Sequence, residues 1–211
     1  MKKNYEEIIK HYEDCLEKHG DNHLGVDWPK AADVDKRYKV MTDIIRVNED
    51  KRHLVSLLDF GCGTAHLLEY IKNNNLGQVL YSGLDISQKF VDVAKNKFPK
   101  NTFYTGDIFD ETFSLPNFDY IIMNGVFTEK RNLSFEDMWT YFTSMISLVY
   151  QKAEKGIAFN VMSKNVEWER DDLFHVPTDL LSNFICKDLT RDFIIRNDYG
   201  LYEYTMYIFK R

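Results

Sequence analysis

The stretch from Leu57 to Asn75, LLDFGCGTAHLLEYIKNNN, constrains the fold more than any other. Read back to His53 it begins HLVSLLDF, a short and nearly continuous apolar run. A strand with that composition is covered on both faces, because a half-exposed strand would alternate apolar and polar residues. The run ends in a bare turn, where Gly61 and Gly63 flank Cys62, and apolar residues then recur at helical spacing. A doubly covered strand that feeds a helix belongs in a parallel sheet with helices on both faces. The glycines allow close approach to the backbone. The free N–H groups and positive end of the following helix favour an anionic group there.

The rest of the chain repeats this alternation. Tyr5, Ile8, Ile9, Tyr12 and Leu16 predict a helix over Lys3 to Lys18, stopped by Gly20. A polar loop, DNHLGVDWPKAAD, precedes a second helix over Val34 to Asn48. Strands are expected at HLVSLLDF, QVLYSGLDI, TFYTGDI, FDYIIMNGVF and KGIAFNVMSK. Helices are expected over residues 65–73, over SQKFVDVAKNKF with Ser87 as N-cap, and over SFEDMWTYFTSMISLVYQKA and PTDLLSNFICKDL. The end, RDFIIRNDYGLYEYTMYIFKR, reads as two strands around a turn. The expected architecture is an α/β, doubly wound, mostly parallel seven-stranded sheet closed by a C-terminal antiparallel hairpin. Residues 1–50 are expected to form a helical cap on a core of residues 51–211, all within a single domain.

Composition narrows the partners. The 211 residues carry 27 Lys and Arg against 33 Asp and Glu, a net charge of −6. A protein that grips a long nucleic acid by its phosphates normally presents a basic face, so a small-molecule ligand is expected instead. The three cysteines, Cys15, Cys62 and Cys186, are far apart and form no CxxC pair. That fits neither a disulfide framework nor a zinc site, and it fits a reducing cytoplasm. The lysines at the N-terminus lead into Glu6, Glu7, Glu13 and Asp14 with no secretory apolar core. No run approaches the length of a membrane span. Oligomeric state is not legible.

Three readings of the glycine turn compete. A dinucleotide fold wants GxGxxG, but GCGTAH puts His66 at the last glycine position. A P-loop string is absent. The pattern of Asp59, Gly61 and Gly63 is D-x-G-x-G. Asp85 ends the next expected strand, 22 positions after Gly63, where a carboxylate can accept both hydroxyls of a ribose or cap a helix. LLDFGCGT and GLDIS together resemble the first two motifs of the class I S-adenosylmethionine-dependent methyltransferases. Ala65 stands where a further glycine is frequent in that family. The layout is similar from Leu54 to the C-terminus.

The resemblance implies a Rossmann-like methyltransferase fold with S-adenosyl-L-methionine as cofactor and S-adenosyl-L-homocysteine as product. It assigns Asp59, Gly61, Cys62 and Gly63 to the cofactor turn, Asp85 to the ribose and Ile86 to the adenine. TGDIFD places Asp107 beside the adenine amino group and Ile108 over the ring. FDYIIMNGVFTEK is similar to the family's fourth motif. There Asn124 and Gly125 face the methionine end, although Asn-Gly also makes turns. NDYGLYEYTMYIFK and GVDW are similar to a bacterial subgroup, some of it encoded among surface-polysaccharide genes.

Upstream, Arg37 can pair with a carboxylate and Trp28 can wall the site, its face suited to a sulfonium; simple packing explains either residue as well. The polar loop KNVEWERDDLFHVPTD contains His175, a candidate general base for a hydroxyl acceptor, with Asn124 as a second catalytic candidate. No HxxxH or clear carboxylate cluster suggests a metal. The leading expectation is methyl transfer to an O or N of a small acceptor, such as a sugar-linked or amino-alcohol metabolite. The alternatives are a non-catalytic S-adenosylmethionine-binding regulatory or partner protein, and an NAD-dependent dehydrogenase.

Overall fold

The computed structural model describes residues 5–48 and 53–210. Lys3 and Asn4 of the first expected helix, residues 49–52, and Arg211 of the closing hairpin lie outside the described residues. The elements run α1 (Glu6–His19), α2 (Ala31–Asn48), β1 (Val55–Phe60), α3 (His66–Asn73), β2 (Val79–Asp85), α4 (Gln88–Lys97) and β3 (Thr102–Thr105). They continue with β4 (Phe118–Phe127), α5 (Phe135–Lys152), β5 (Ala153–Ser163), β6 (His175–Val176), α6 (Thr178–Asp188), β7 (Phe193–Arg196) and β8 (Glu203–Phe209).

The strands form one sheet in the order β3-β2-β1-β4-β5-β8-β7. The first five are parallel, β8 is antiparallel to β5, and β7 is antiparallel to β8. This is the doubly wound fold expected, with the hairpin as its antiparallel edge. An eighth strand, β6, pairs in parallel with the end of β5. It arises inside what reads as a polar loop, and two residues are too short to show any period.

Alternation along the buried strands divides the core between the two faces of the sheet. Leu58, Ile121 and Met123 pack against α5 and α6, while Leu57, Tyr120 and Ile122 pack against α2 and α3. Burying both faces removes each of these side chains from water, at about 1.5–3 kcal/mol apiece. Helix α5 begins where the Ser134 hydroxyl accepts the Asp137 N–H at 3.0 Å, a cap of about 1 kcal/mol.

The N-terminal fifty residues divide into two roles. Tyr38, Val40, Met41, Ile44 and Ile45 of α2 are buried in the core on one face of the sheet, so α2 is a layer helix. Only α1 and the loop after it cross the carboxyl ends of the strands. On α1 the one buried residue is Ile8.

Candidate functional site

Strand order reverses between β1 and β4, and in an open α/β sheet that point leaves a crevice at the carboxyl ends. A cavity of about 160 Å3 lies there. Its floor is Asp59, Gly61, Cys62 and Gly63 after β1, Asp85 and Ile86 after β2, and Asn124 and Gly125 toward the end of β4. Its roof is Ile8, Ile9 and Tyr12 of α1 with Val26 and Trp28 of the following loop.

The floor is fixed by backbone bonds. The Gly61 and Cys62 N–H groups donate to the Leu84 carbonyl at 2.7 and 3.0 Å, which ties the turn to β2. Gly61 has φ +76°, and a Cβ there would lie 2.6 Å from Val126 Cγ2. Ala65 also holds a left-handed φ of 65°, so this L-residue tolerates at a cost of about 1–2 kcal/mol the conformation a glycine takes freely. The Asp85 carboxylate spans the two turns. It accepts the Gly63 N–H at 2.9 Å on one oxygen and the Ser87 N–H at 2.9 Å on the other. Ser87 stands at the N-cap of α4 as expected, but its hydroxyl does not cap; it donates to Glu13 at 2.6 Å.

Two acids share this floor. Burial pushes the Asp85 carboxyl up from its ordinary value, against the backbone N–H groups that lower it. Asp59 is 3% exposed, and burial pushes its carboxyl up to about 7; the Tyr81 hydroxyl, donating at 2.7 Å, opposes this and the nearby Asp85 adds to it. Burial also pushes the Cys62 thiol up. Beside them the Asn124 side chain buries its oxygen and nitrogen with no hydrogen-bond partner. An unpaired buried amide costs about 1–3 kcal/mol, which a polar ligand at this wall recovers. Gly125, φ +82°, donates its N–H to Asn160 Oδ1 at 2.7 Å. Its carbonyl accepts from the Tyr12 hydroxyl at 3.3 Å and from Thr128 at 3.1 Å. The Trp28 ring lies over Gly125, 3.4 Å from where a Cβ would be.

Four candidates sit elsewhere. Asp107 accepts a hydrogen bond from the hydroxyl of Tyr5, which immediately precedes α1, and its other oxygen takes the Phe109 N–H at 2.9 Å. Ile108 packs against the core. Neither lines the cavity. Arg37 Nε donates to both oxygens of Glu203, at 3.0 and 3.1 Å, and its guanidinium lies 5.1 Å from the Trp28 ring centre. Glu203 is 2% exposed, so the carboxylate that Arg37 serves belongs to the chain itself. His175 is 5% exposed on β6. Its Nδ1 bonds the Ser163 carbonyl at 2.7 Å, and its Nε2 accepts the Arg170 N–H at 3.4 Å. Both ring nitrogens thus bond the backbone, and His175 does not line the cavity. The loop that carries His175 packs on the end of β4, where the Phe174 N–H donates to the Thr128 carbonyl at 2.8 Å.

Of the roof, Trp28 was expected to wall the site, whereas Val26 and the α1 residues were not singled out for it. Ile8, Ile9 and Tyr12 were legible as a helical stripe, but a stripe does not say which surface it covers. His66 lines the cavity too, with its Nε2 2.7 Å from Asp21. Burial lowers its pKa.

Residues 58–147 match a family model described as "Methyltransferase domain". A Mycobacterium tuberculosis protein, Rv1506c, described as a proposed methyltransferase, is 23% identical over 157 residues, covering 74% of this chain and 93% of its own length. Magnesium protoporphyrin IX methyltransferase from Synechocystis PCC 6803 superposes with a TM-score of 0.66 at 14% identity, covering 99% of this chain and 97% of that one. The plantazolicin methyltransferase BpumL superposes at 0.60 with 15% identity, covering 97% and 99%. Residues 58–147 are thus similar to a methyltransferase domain, and the chain as a whole shares the fold of these solved methyltransferases.

Proposed function

We propose that the protein transfers a methyl group from S-adenosylmethionine to an oxygen or nitrogen of a small-molecule acceptor, of the sugar-linked or amino-alcohol class. One observation carries the reading: Asp85, the Gly61–Gly63 turn and the unpaired amide of Asn124 all face one cavity at the strand-order reversal. The residues fit the cofactor. Asp85 can accept ribose hydroxyls, the bare turn admits the nucleoside, and Asn124 offers both a donor and an acceptor to the amino-acid end. The solved relatives support the cofactor class, because both were crystallised with S-adenosylhomocysteine, BpumL together with a desmethylPZN analog.

When bound, the cofactor supplies an electrophilic methyl on a sulfonium. The chain's part is to hold, align and keep dry. Trp28 over Gly125 and Tyr12 beneath α1 present aromatic faces, which attract a cation. The α1 roof excludes water from the floor. Alignment of this kind lowers a barrier without an obligatory proton acceptor. With His175 engaged by backbone, no side chain is assigned as base.

Acceptor class follows from charge. The 166–172 segment packs beside the end of β4 and carries Glu167, Glu169, Asp171 and Asp172 against Arg170. A polyphosphate chain is repelled there, and a neutral or cationic metabolite is not. The test uses S-adenosylmethionine labelled in its methyl group with a panel of amino sugars, sugar nucleotides and amino alcohols. Label in an acceptor is the expected result. Binding of S-adenosylhomocysteine with no transfer to any small acceptor, or specific salt-sensitive transfer to RNA, overturns the reading.

A further inference from the structure

We propose that His11, Cys15 and Asp27 form a site for one zinc-class divalent cation that fastens α1 to the loop it faces. His11 Nε2 lies 2.8 Å from Asp27 Oδ2 and 3.9 Å from Cys15 Sγ, and the three ligand atoms lie within 4.8 Å of one another. His11 and Cys15 are four residues apart on α1, so they share one face of the helix. Asp27 comes from the loop, which is closed on itself by the Trp28 N–H donating to the His23 carbonyl at 2.8 Å. One nitrogen therefore sits between an oxygen and a sulfur contributed by two segments.

The spacing suits the metal. In a tetrahedral zinc site with bonds of about 2.0–2.3 Å, neighbouring ligand atoms stand roughly 3.3–3.8 Å apart. Shifts of about 1 Å or less bring these three to such distances. An imidazole, a thiolate and a carboxylate select zinc or cobalt over calcium or magnesium, which prefer oxygen alone. Three protein ligands leave the fourth position to water. Both signs of charge face the site: buried Glu129 lies close enough to Asp27 for the two carboxylates to repel, and Lys18 and Arg131 lie close enough to Cys15 to favour its thiolate. Proton balance is simple. The entering cation displaces the Cys15 thiol proton and any proton on His11 Nε2, the imidazole keeps its proton on Nδ1, and no electron moves.

The position gives the site a consequence. Its α1 ligands flank Ile8, Ile9 and Tyr12, and Asp27 stands between Val26 and Trp28. All five of these neighbours line the cavity. A bound cation thus clamps roof to loop over the floor and slows escape of what lies beneath. This consequence rests on the proposed methyl-transfer site, whereas the metal site itself does not.

The experiment is a Co(II) titration of the full chain carrying Cys186→Ser, which removes the exposed thiol. One equivalent should bind with tetrahedral visible bands and a sulfur-to-cobalt charge-transfer band, and Zn(II) should displace it. Cys15→Ser should abolish the charge-transfer band, and Asp27→Asn should weaken binding by about tenfold or more. Both variants should keep the parent's circular dichroism, which separates lost ligation from lost fold. A missing charge-transfer band, or an identical one in Cys15→Ser, overturns the site. In a second arm, Zn(II) should slow S-adenosylhomocysteine dissociation in the parent and leave it unchanged in Cys15→Ser. Equal rates in the parent with and without Zn(II) overturn the clamp. A normal cobalt spectrum without S-adenosylhomocysteine binding overturns the methyl-transfer reading and leaves the metal site standing.

Discussion

The floor and the roof of the cavity are built by opposite means. The floor hangs from β1, β2 and β4, which carry buried side chains on both faces and whose glycine turn is tied to the Leu84 carbonyl and the Asp85 carboxylate. The roof helix fully buries only Ile8, with Ile9 and Tyr12 half-buried, and its remaining contacts are polar. Glu13 meets Ser87 at 2.6 Å and Lys89 at 3.1 Å, Glu17 meets Lys89 at 2.6 Å, and Glu7 accepts from Asn132 at 3.0 Å. The Lys89 and Asn132 contacts are largely exposed, and pairs of that kind contribute about 0–1 kcal/mol each. A rigid floor fixes a ligand's orientation, and a weakly held roof lets it in and out. The fold thus separates precision from access, and segments with few buried contacts are those that open first.

The contrast should be largest in the core. Leu58→Ala, under the floor, should cost about 2–5 kcal/mol in chemical denaturation, because a fully buried leucine leaves a cavity. Ile9→Ala on the roof should cost about 1 kcal/mol or less, since its side chain is only half-buried. Comparable losses would mean the roof belongs to the same cooperative unit as the floor.

Next comes Asp85→Ala. Losing hydrogen bonds between a carboxylate and a ribose should weaken S-adenosylhomocysteine binding by about 2–4 kcal/mol by calorimetry, with the fold retained. Unchanged affinity in a folded variant would remove Asp85 from the site.

A third expectation concerns pH. The Asp59 carboxyl is raised to about 7 in the folded chain, mainly by burial, against an unfolded value near the ordinary one for Asp. A raised folded value means the native state binds the proton more tightly. Its stabilising contribution is therefore fully present below the unfolded value and is lost as pH rises through about 7. The ligand-free protein should lose stability over that window, and Asp59→Asn should flatten the slope. A slope unchanged in the variant would assign the effect to another group.

The smallest effect is at the latch. Glu13→Gln should lower stability by less than about 1 kcal/mol while speeding S-adenosylhomocysteine entry, read by stopped-flow fluorescence. An unchanged entry rate would show that α1 does not gate the cavity.

The same division explains what was legible in the sequence. The β1 run, the glycine turn and Asp85 could be read because the signal is local: composition, φ requirement and spacing all lie within one strand-turn-helix unit and the strand that follows it. Ala65 was noticed as a departure from a glycine, and its left-handed backbone shows why a glycine is common there. The partner of Arg37 was not legible because Glu203 is 166 residues away. One signal was available, since an acid opening the apolar run EYTMYIF needs a buried cation. The surroundings of His175 were hidden similarly, because the Ser163 carbonyl that bonds its ring becomes a neighbour only once β6 joins β5. Asp107 was placed by analogy, and nothing local reveals that Tyr5 reaches its carboxylate. In the roof Trp28 was legible and the α1 stripe was not, since an amphipathic helix looks the same over a cavity as over a core.

Amide hydrogen exchange, with and without S-adenosylhomocysteine, tests the contrast most directly. In the free protein the amides of α1 should exchange far faster than those of β1 and β2. On binding, protection should rise over residues 6–19 and at the Gly61–Gly63 turn, with β5 and β8 unchanged. Protection of α1 equal to that of β1 before any ligand is added, or ligand protection that spares both α1 and the glycine turn, would contradict a rigid floor under an opening roof.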